Sequence, residues 1–151
     1  MSAVLKLYLR RAAEHAEGRI QHVAAERIWL QHAEVVPGAE RGESLRRAAI
    51  AANRAGKPGI AESLLEKALA IHREVGNRSS EGLAQGNLAH LYTSTGRLEL
   101  AEQNFMEARA TWLEGAGILR EIGDLPGLDD KTSAMRAACS KAGVRAFDEE
   151  A

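Results

Sequence analysis

The chain has 151 residues, a length that suits one domain or a short helical array and requires no second domain. With 20 Lys and Arg against 21 Asp and Glu, the net charge of -1 provides no general attraction to nucleic acid or anionic membrane, so any basic surface has to be local. Apolar residues make up 45% but aromatics only 4%, and much of the apolar share is alanine, which suits close-packed helices and leaves no Val, Ile and Thr runs for a sheet.

At the N-terminus, Ala3, Val4 and Leu5 are interrupted by Lys6 and followed by Arg10 and Arg11, too short and too charged a stretch for a signal peptide or a membrane span. Met1 is read as the start. A first helix pair is expected over about 3–36, where Leu9, Ala12, Ala13, Ala16, Ala25 and Trp29 fall at helical spacings and Ile20 stands where a turn glycine belongs. A second pair is expected over about 43–76, carried by Leu45, Ala48, Ala49, Ala52, Gly56, Ala61 and Leu65. Gly56 supplies left-handed turn geometry, and Pro58 suits a first helical turn because its missing N–H has no partner to lose there. The string LRRAA occurs at both 9–13 and 45–49, a period of 36.

A third pair is expected over about 79–123, with Gln85, Leu88, Ala89, Tyr92, Gly96, Ala101 and Phe105 in the same frame and Ser79 or Ser80 as the N-cap. Gly56 and Gly96 mark a period of 40, while the related strings IHREVGN at 71–77 and ILREIGD at 118–124 lie 47 apart. The seven added residues fall in the second helix of the third pair. One continuous helix is the simpler reading there, since a heptad preserves the facing side, although Gly115, Ala116 and Gly117 also read as a break. A partial or capping unit follows over 129–151, with Met135 and Cys139 at core positions and Arg136 where a small residue is wanted.

The small residues let paired helices approach and the bulky ones fill the space to the next pair. The spacing Gln85, Leu88-Ala89, Tyr92, then Ala101 and Phe105 resembles the W-x2-L-G-x2-Y and A-x3-F pattern of the tetratricopeptide repeat superfamily, in its longer variant with units near forty residues. The resemblance covers about 9–124, with Gln85 in place of Trp and Ala89 in place of Gly. It implies a single all-α domain over 1–151, an α-α superhelix that serves as scaffold, peptide binder or sensor. The family's groove positions then fall on Arg10, Arg11 and Glu14 in the first pair, Arg46, Arg47, Ile50 and Asn53 in the second, and Asn87 and His90 in the third. Two arginine pairs recur at one repeat position. They are either a salt-bridged helix face, given Glu14, Glu17 and Glu43 nearby, or an anion-binding stripe that prefers an acidic ligand. A chaperone-tail clamp is disfavoured, because Ile50, Asp130 and Ala134 stand where its Asn and basic residues would be.

Chemistry is sparse. His15, His22, His32, His72 and His90 form no HExxH or other ligand spacing, so no metal and no cofactor are assigned. Cys139 stands alone, with no disulfide partner and no evident base, and reads as a buried thiol in a cytoplasmic protein. The glycines at 115, 117, 123 and 127 make no phosphate loop, and Asp129-Asp130 reads as helix capping rather than a calcium loop. Asp148, Glu149 and Glu150 read as a solvated acidic end. The expected function is a non-catalytic protein- or peptide-binding adaptor whose groove residues are Arg10, Arg11, Arg46, Arg47, Asn53, Asn87 and His90. The alternative is a homo-oligomer formed through an incompletely capped C-terminal end.

Overall fold

The computed structural model describes residues 3–18 and 20–149; the expected start Met1 and Glu150 of the acidic end lie outside the described residues. Seven helices and no strand occur among the described residues, in two compact units, 1–75 and 76–151. The first unit holds α1 (Ala3–Gly18), α2 (His22–Val35), α3 (Gly38–Arg54) and α4 (Pro58–Glu74), each packed on the next. The second holds α5 (Arg78–Ser94), α6 (Leu98–Glu121) and α7 (Leu125–Ala142), with α7 packed on both of the others.

Alanine dominates the interior of the first unit as its sequence demands: Ala13, Ala25, Ala48, Ala49, Ala52 and Ala68 are fully buried. Bare methyl groups let helix backbones approach closely, and Trp29, Leu64 and Leu65 fill what remains. Pro58 opens α4, as expected of a residue with no N–H to leave unsatisfied.

The turns follow one pattern, and it exposes a cost in the first. Gly56 and Gly96 take φ of +81° and +78°. Around Gly56 the N–H of Lys57 donates to the carbonyl of Ala52, and around Gly96 that of Arg97 donates to Tyr92. Ile20 has the same left-handed backbone, φ +58°, and Gln21 N–H donates to Ala16 in the same manner, so the missing glycine changed the residue and not the turn. A β-branched residue there is strained by roughly 1–2 kcal/mol, and its side chain, 74% exposed, recovers little by burial. Ile20→Gly is therefore expected to stabilise the protein by about 0.5–1 kcal/mol, after allowing for the greater backbone entropy of unfolded glycine. An unchanged or lower urea midpoint would show the turn to be unstrained.

In the second unit α6 runs unbroken through Gly115, Ala116 and Gly117 for 24 residues, as the heptad argument favours. Gly115 is where α6 meets the start of α5, since a Cβ built there would lie 2.3 Å from the backbone nitrogen of Ser79. Two capping expectations are corrected. Asn77, not Ser79 or Ser80, caps α5, its side-chain oxygen accepting from Ser80 N–H at 3.2 Å, while both serines are buried inside the helix. Likewise Asp124 caps α7 by accepting from Gly127 N–H at 3.0 Å, leaving Asp129 and Asp130 exposed within the helix.

Met135 and Cys139 are buried, as their repeat positions imply, in a cluster with Leu83, Ala108, Trp112, Ala116 and Phe147. Phe147 lies beyond α7 and returns to this cluster, its ring centroid 6.5 Å from that of Trp112 and its N–H donating to the Met135 sulfur at 3.2 Å. Arg136 escapes the constraint on its repeat position because it is exposed, where its Nε donates to Asp148 at 3.0 Å. The Asp148 carboxyl is held below its ordinary value by that hydrogen bond. This part of the acidic end is thus tied to α7 rather than simply solvated.

Candidate functional site

Among the expected groove residues of the first unit, Arg10, Arg46 and Arg47 share one charged network and Arg11 stands apart from it. Arg10 on α1 donates to Glu14 at 3.2 Å. Across the helix junction, Arg47 on α3 places Nη1 3.5 Å from Glu14 and 3.9 Å from Glu17, with Nε 3.4 Å from Glu43. Arg46 grips Glu43 with two hydrogen bonds, at 2.9 and 2.7 Å. Three arginines therefore meet three carboxylates, and the salt-bridged form of the helix face is the one present.

Two of these side chains are not the solvated arms that a sequence frame suggests. The Arg46 side chain is only 11% exposed. Burial alone would lower its pKa, but the charge and hydrogen bond of Glu43 outweigh that and raise it. Arg47 is 31% exposed and places its guanidinium carbon over the Trp29 ring, 4.8 Å from the centroid. Trp29 is itself fixed, because its indole N–H donates to Glu17. The anchoring role of Trp29 was hidden in the sequence, where it reads only as a bulky core residue. Asn53, near the end of α3, is half-buried.

Beneath the network, His32 Nδ1 lies 2.6 Å from Ser44 Oγ, and the Ser44 hydroxyl donates to the Glu40 carbonyl at 2.9 Å. With that hydroxyl proton directed at a carbonyl, Nδ1–H is the donor to Oγ. The pair is a structural tie between α2 and α3, not an activated nucleophile. Burial lowers the His32 pKa below 6.5, helped by Arg10 and Arg47 and opposed by Glu40 and Glu14. The unfolded chain then binds more protons than the folded one as pH falls from about 6.5, so stability should decline over that window. His32→Asn, which keeps a donor near Ser44, should flatten the decline in urea midpoints between about pH 7 and 5; an unaltered slope would place the titrating group elsewhere.

In the second unit, Asn87 and His90 lie half-buried on α5. Arg78 bridges Glu81 on α5 and Glu114 on α6 at 2.7 and 2.8 Å, and Lys131 of α7 donates to Ser80 at 2.7 Å. These ties fix the helix that presents Asn87 and His90. The Cys139 thiol is pushed up by burial, partly offset by the Phe147 N–H, which suits a packing role.

Among the described residues no three His, Cys, Asp or Glu side chains gather as metal ligands, and no helix is long and apolar enough to cross a membrane. Residues 40–114, from α3 into α6, match the family model described as tetratricopeptide repeat. No curated protein matches the chain.

Proposed function

We propose that this chain, which belongs to the tetratricopeptide repeat superfamily through residues 40–114, is a cytoplasmic adaptor that binds a protein or peptide on the polar faces of its first helices. The family match is the observation that carries the reading, since repeats of this type are typically non-catalytic scaffolds for protein partners. In the first unit the contacts are assigned to Arg10 and Asn53, with Arg47 held on the Trp29 ring and Arg46 as a positioning residue for Glu43. In the second they are assigned to Asn87 and His90.

Rigid display is the mechanism: guanidinium groups already restrained by neighbours lose little side-chain freedom on binding. Because Arg10, Arg46 and Arg47 already face Glu14, Glu17 and Glu43, an acidic ligand has to exchange with internal carboxylates. The net attraction at this face is therefore smaller than three unpaired arginines would exert. The apolar C-terminal edge that would favour a homo-oligomer is covered in part by Phe147, which is 5% exposed.

The test is capture of a partner on the intact chain, followed by calorimetric titration of variants. Arg10→Ala should weaken binding by about tenfold, a loss near 1.4 kcal/mol, while changing stability by no more than about 0.5 kcal/mol. Arg46→Ala, by contrast, should destabilise the fold by roughly 1–2 kcal/mol through loss of charged hydrogen bonds in a buried setting. Unchanged affinity in Arg10→Ala, Asn53→Ala and His90→Ala would place the binding surface elsewhere.

A further inference from the structure

The repeated string LRRAA shows, within one molecule, the same surface both covered and open. On α3, the second copy faces the preceding helices. Ser44 bonds to His32, Arg47 lies over Trp29 between Glu14 and Glu17, and Ala48 and Ala51 are buried. Thirty-six residues earlier the equivalent positions on α1 are Tyr8, Arg11, Ala12 and His15. All four line an open groove whose other wall is Ala24, Arg27 and Ile28 of α2. Tyr8 is 67% exposed, and Ala12 is half-buried where its counterpart Ala48 is fully buried.

The groove has a defined chemistry. Three of the large apolar side chains exposed among the described residues of the first unit, Val4, Leu7 and Tyr8, line this groove side by side on α1, which makes a continuous apolar strip. No carboxylate lines the groove, and neither Arg11 nor Arg27 forms an ion pair with a described residue. The carboxylates of α1 that are nearest in sequence, Glu14 and Glu17, are turned to Arg10 and Arg47 instead. Both carboxylates of α1 thus lie in the network with Arg10 and Arg47, and the charged side chains that line the groove are basic.

We infer that this face docks a helix of a partner protein that carries two carboxylates one turn apart beside an aromatic or large aliphatic side chain. The template is the cover that Arg47 receives: Glu14 and Glu17, three residues apart on one helix, with the Trp29 ring beneath. A helix laid between α1 and α2 would bury the apolar strip and bring its carboxylates to Arg11 and Arg27, where bidentate hydrogen bonds are available to both. This surface is distinct from the α1–α3 network of the proposed function, so either can fail while the other stands.

The probe is a fluorescein-labelled, lactam-stapled helix with leucines on one face, two glutamates one turn apart and a tryptophan, titrated against the full chain by fluorescence anisotropy. A second probe has both glutamates replaced by lysine. The glutamate helix should bind at least about tenfold more tightly. The double variant Arg11→Glu with Arg27→Glu should reverse the preference with an unchanged melting temperature, and Tyr8→Ala should weaken the glutamate helix in the wild-type charge background. Equal binding of the two probes, no binding, or a glutamate preference that survives the charge reversal would overturn the inference. So would a dimer in light scattering that Tyr8→Asp dissociates, since a second copy would then be the occupant.

Discussion

Gly115→Ala is expected to destabilise the protein by about 1–2 kcal/mol net, whereas Gly117→Ala, two positions along the same helix, should stabilise it by roughly 0.5–1 kcal/mol. Both substitutions remove a helix-interior glycine, which by itself favours the helix by up to about 1 kcal/mol. The difference lies in what the added methyl meets. At Gly115 it would sit 2.3 Å from Ser79 N and 2.8 Å from Arg78 C and Ser79 Cα, all backbone atoms that move only if α5 and α6 separate. At Gly117 nothing lies within 4 Å. Overpacking of a rigid contact typically costs about 1–3 kcal/mol, which outweighs the propensity gain at the first site and is absent at the second. Urea denaturation followed by circular dichroism reads both; equal shifts in the same direction would show that α6 does not approach α5 as described.

Phe147→Ala should destabilise by about 3 kcal/mol, the lower end of the range for a buried phenylalanine. This is a large effect for a residue outside any helix and close to the end of the chain, and it follows from where the ring goes. Phe147 is 5% exposed among Leu83, Trp112, Met135 and Cys139, and its truncation would leave a cavity that helical neighbours fill poorly. Arg136→Ala offers the contrast, because the Arg136–Asp148 pair is exposed on the arginine side and its loss should change the urea midpoint little. A Phe147→Ala protein that denatures like the parent would mean that residues 144–149 contribute nothing to the second unit.

The helices were legible in the sequence because alanine spacing and turn glycines act locally. Gly56, Gly96 and Pro58 sit where their backbone preferences require, and even Ile20 could be placed by the frame around it. The caps were less legible. Asn77 and Asp124 win over Ser79 and Asp129 by reaching a free N–H three residues on, a contest decided by where the chain turns and not by residue type. The site was legible only in part. The recurrence of two arginine pairs could be read, but Arg11 diverges from Arg47 because the first pair has no preceding helix within the described residues to supply a Glu14, a Glu17 and a Trp29. Nor could the frame foresee that Phe147 returns to the core. That contact joins residues 35 positions apart, Trp112 and Phe147, and leaves no periodic trace.

The central claim, that the first-helix faces bind a protein partner, is tested most directly by mapping amide chemical shifts on the intact, isotope-labelled chain as a captured partner is added. Saturable shifts are expected, largest around Arg10, Arg47 and Asn53, and around Asn87 and His90. Shifts confined to the exposed side of α6 around Met106 and Leu113 would contradict it.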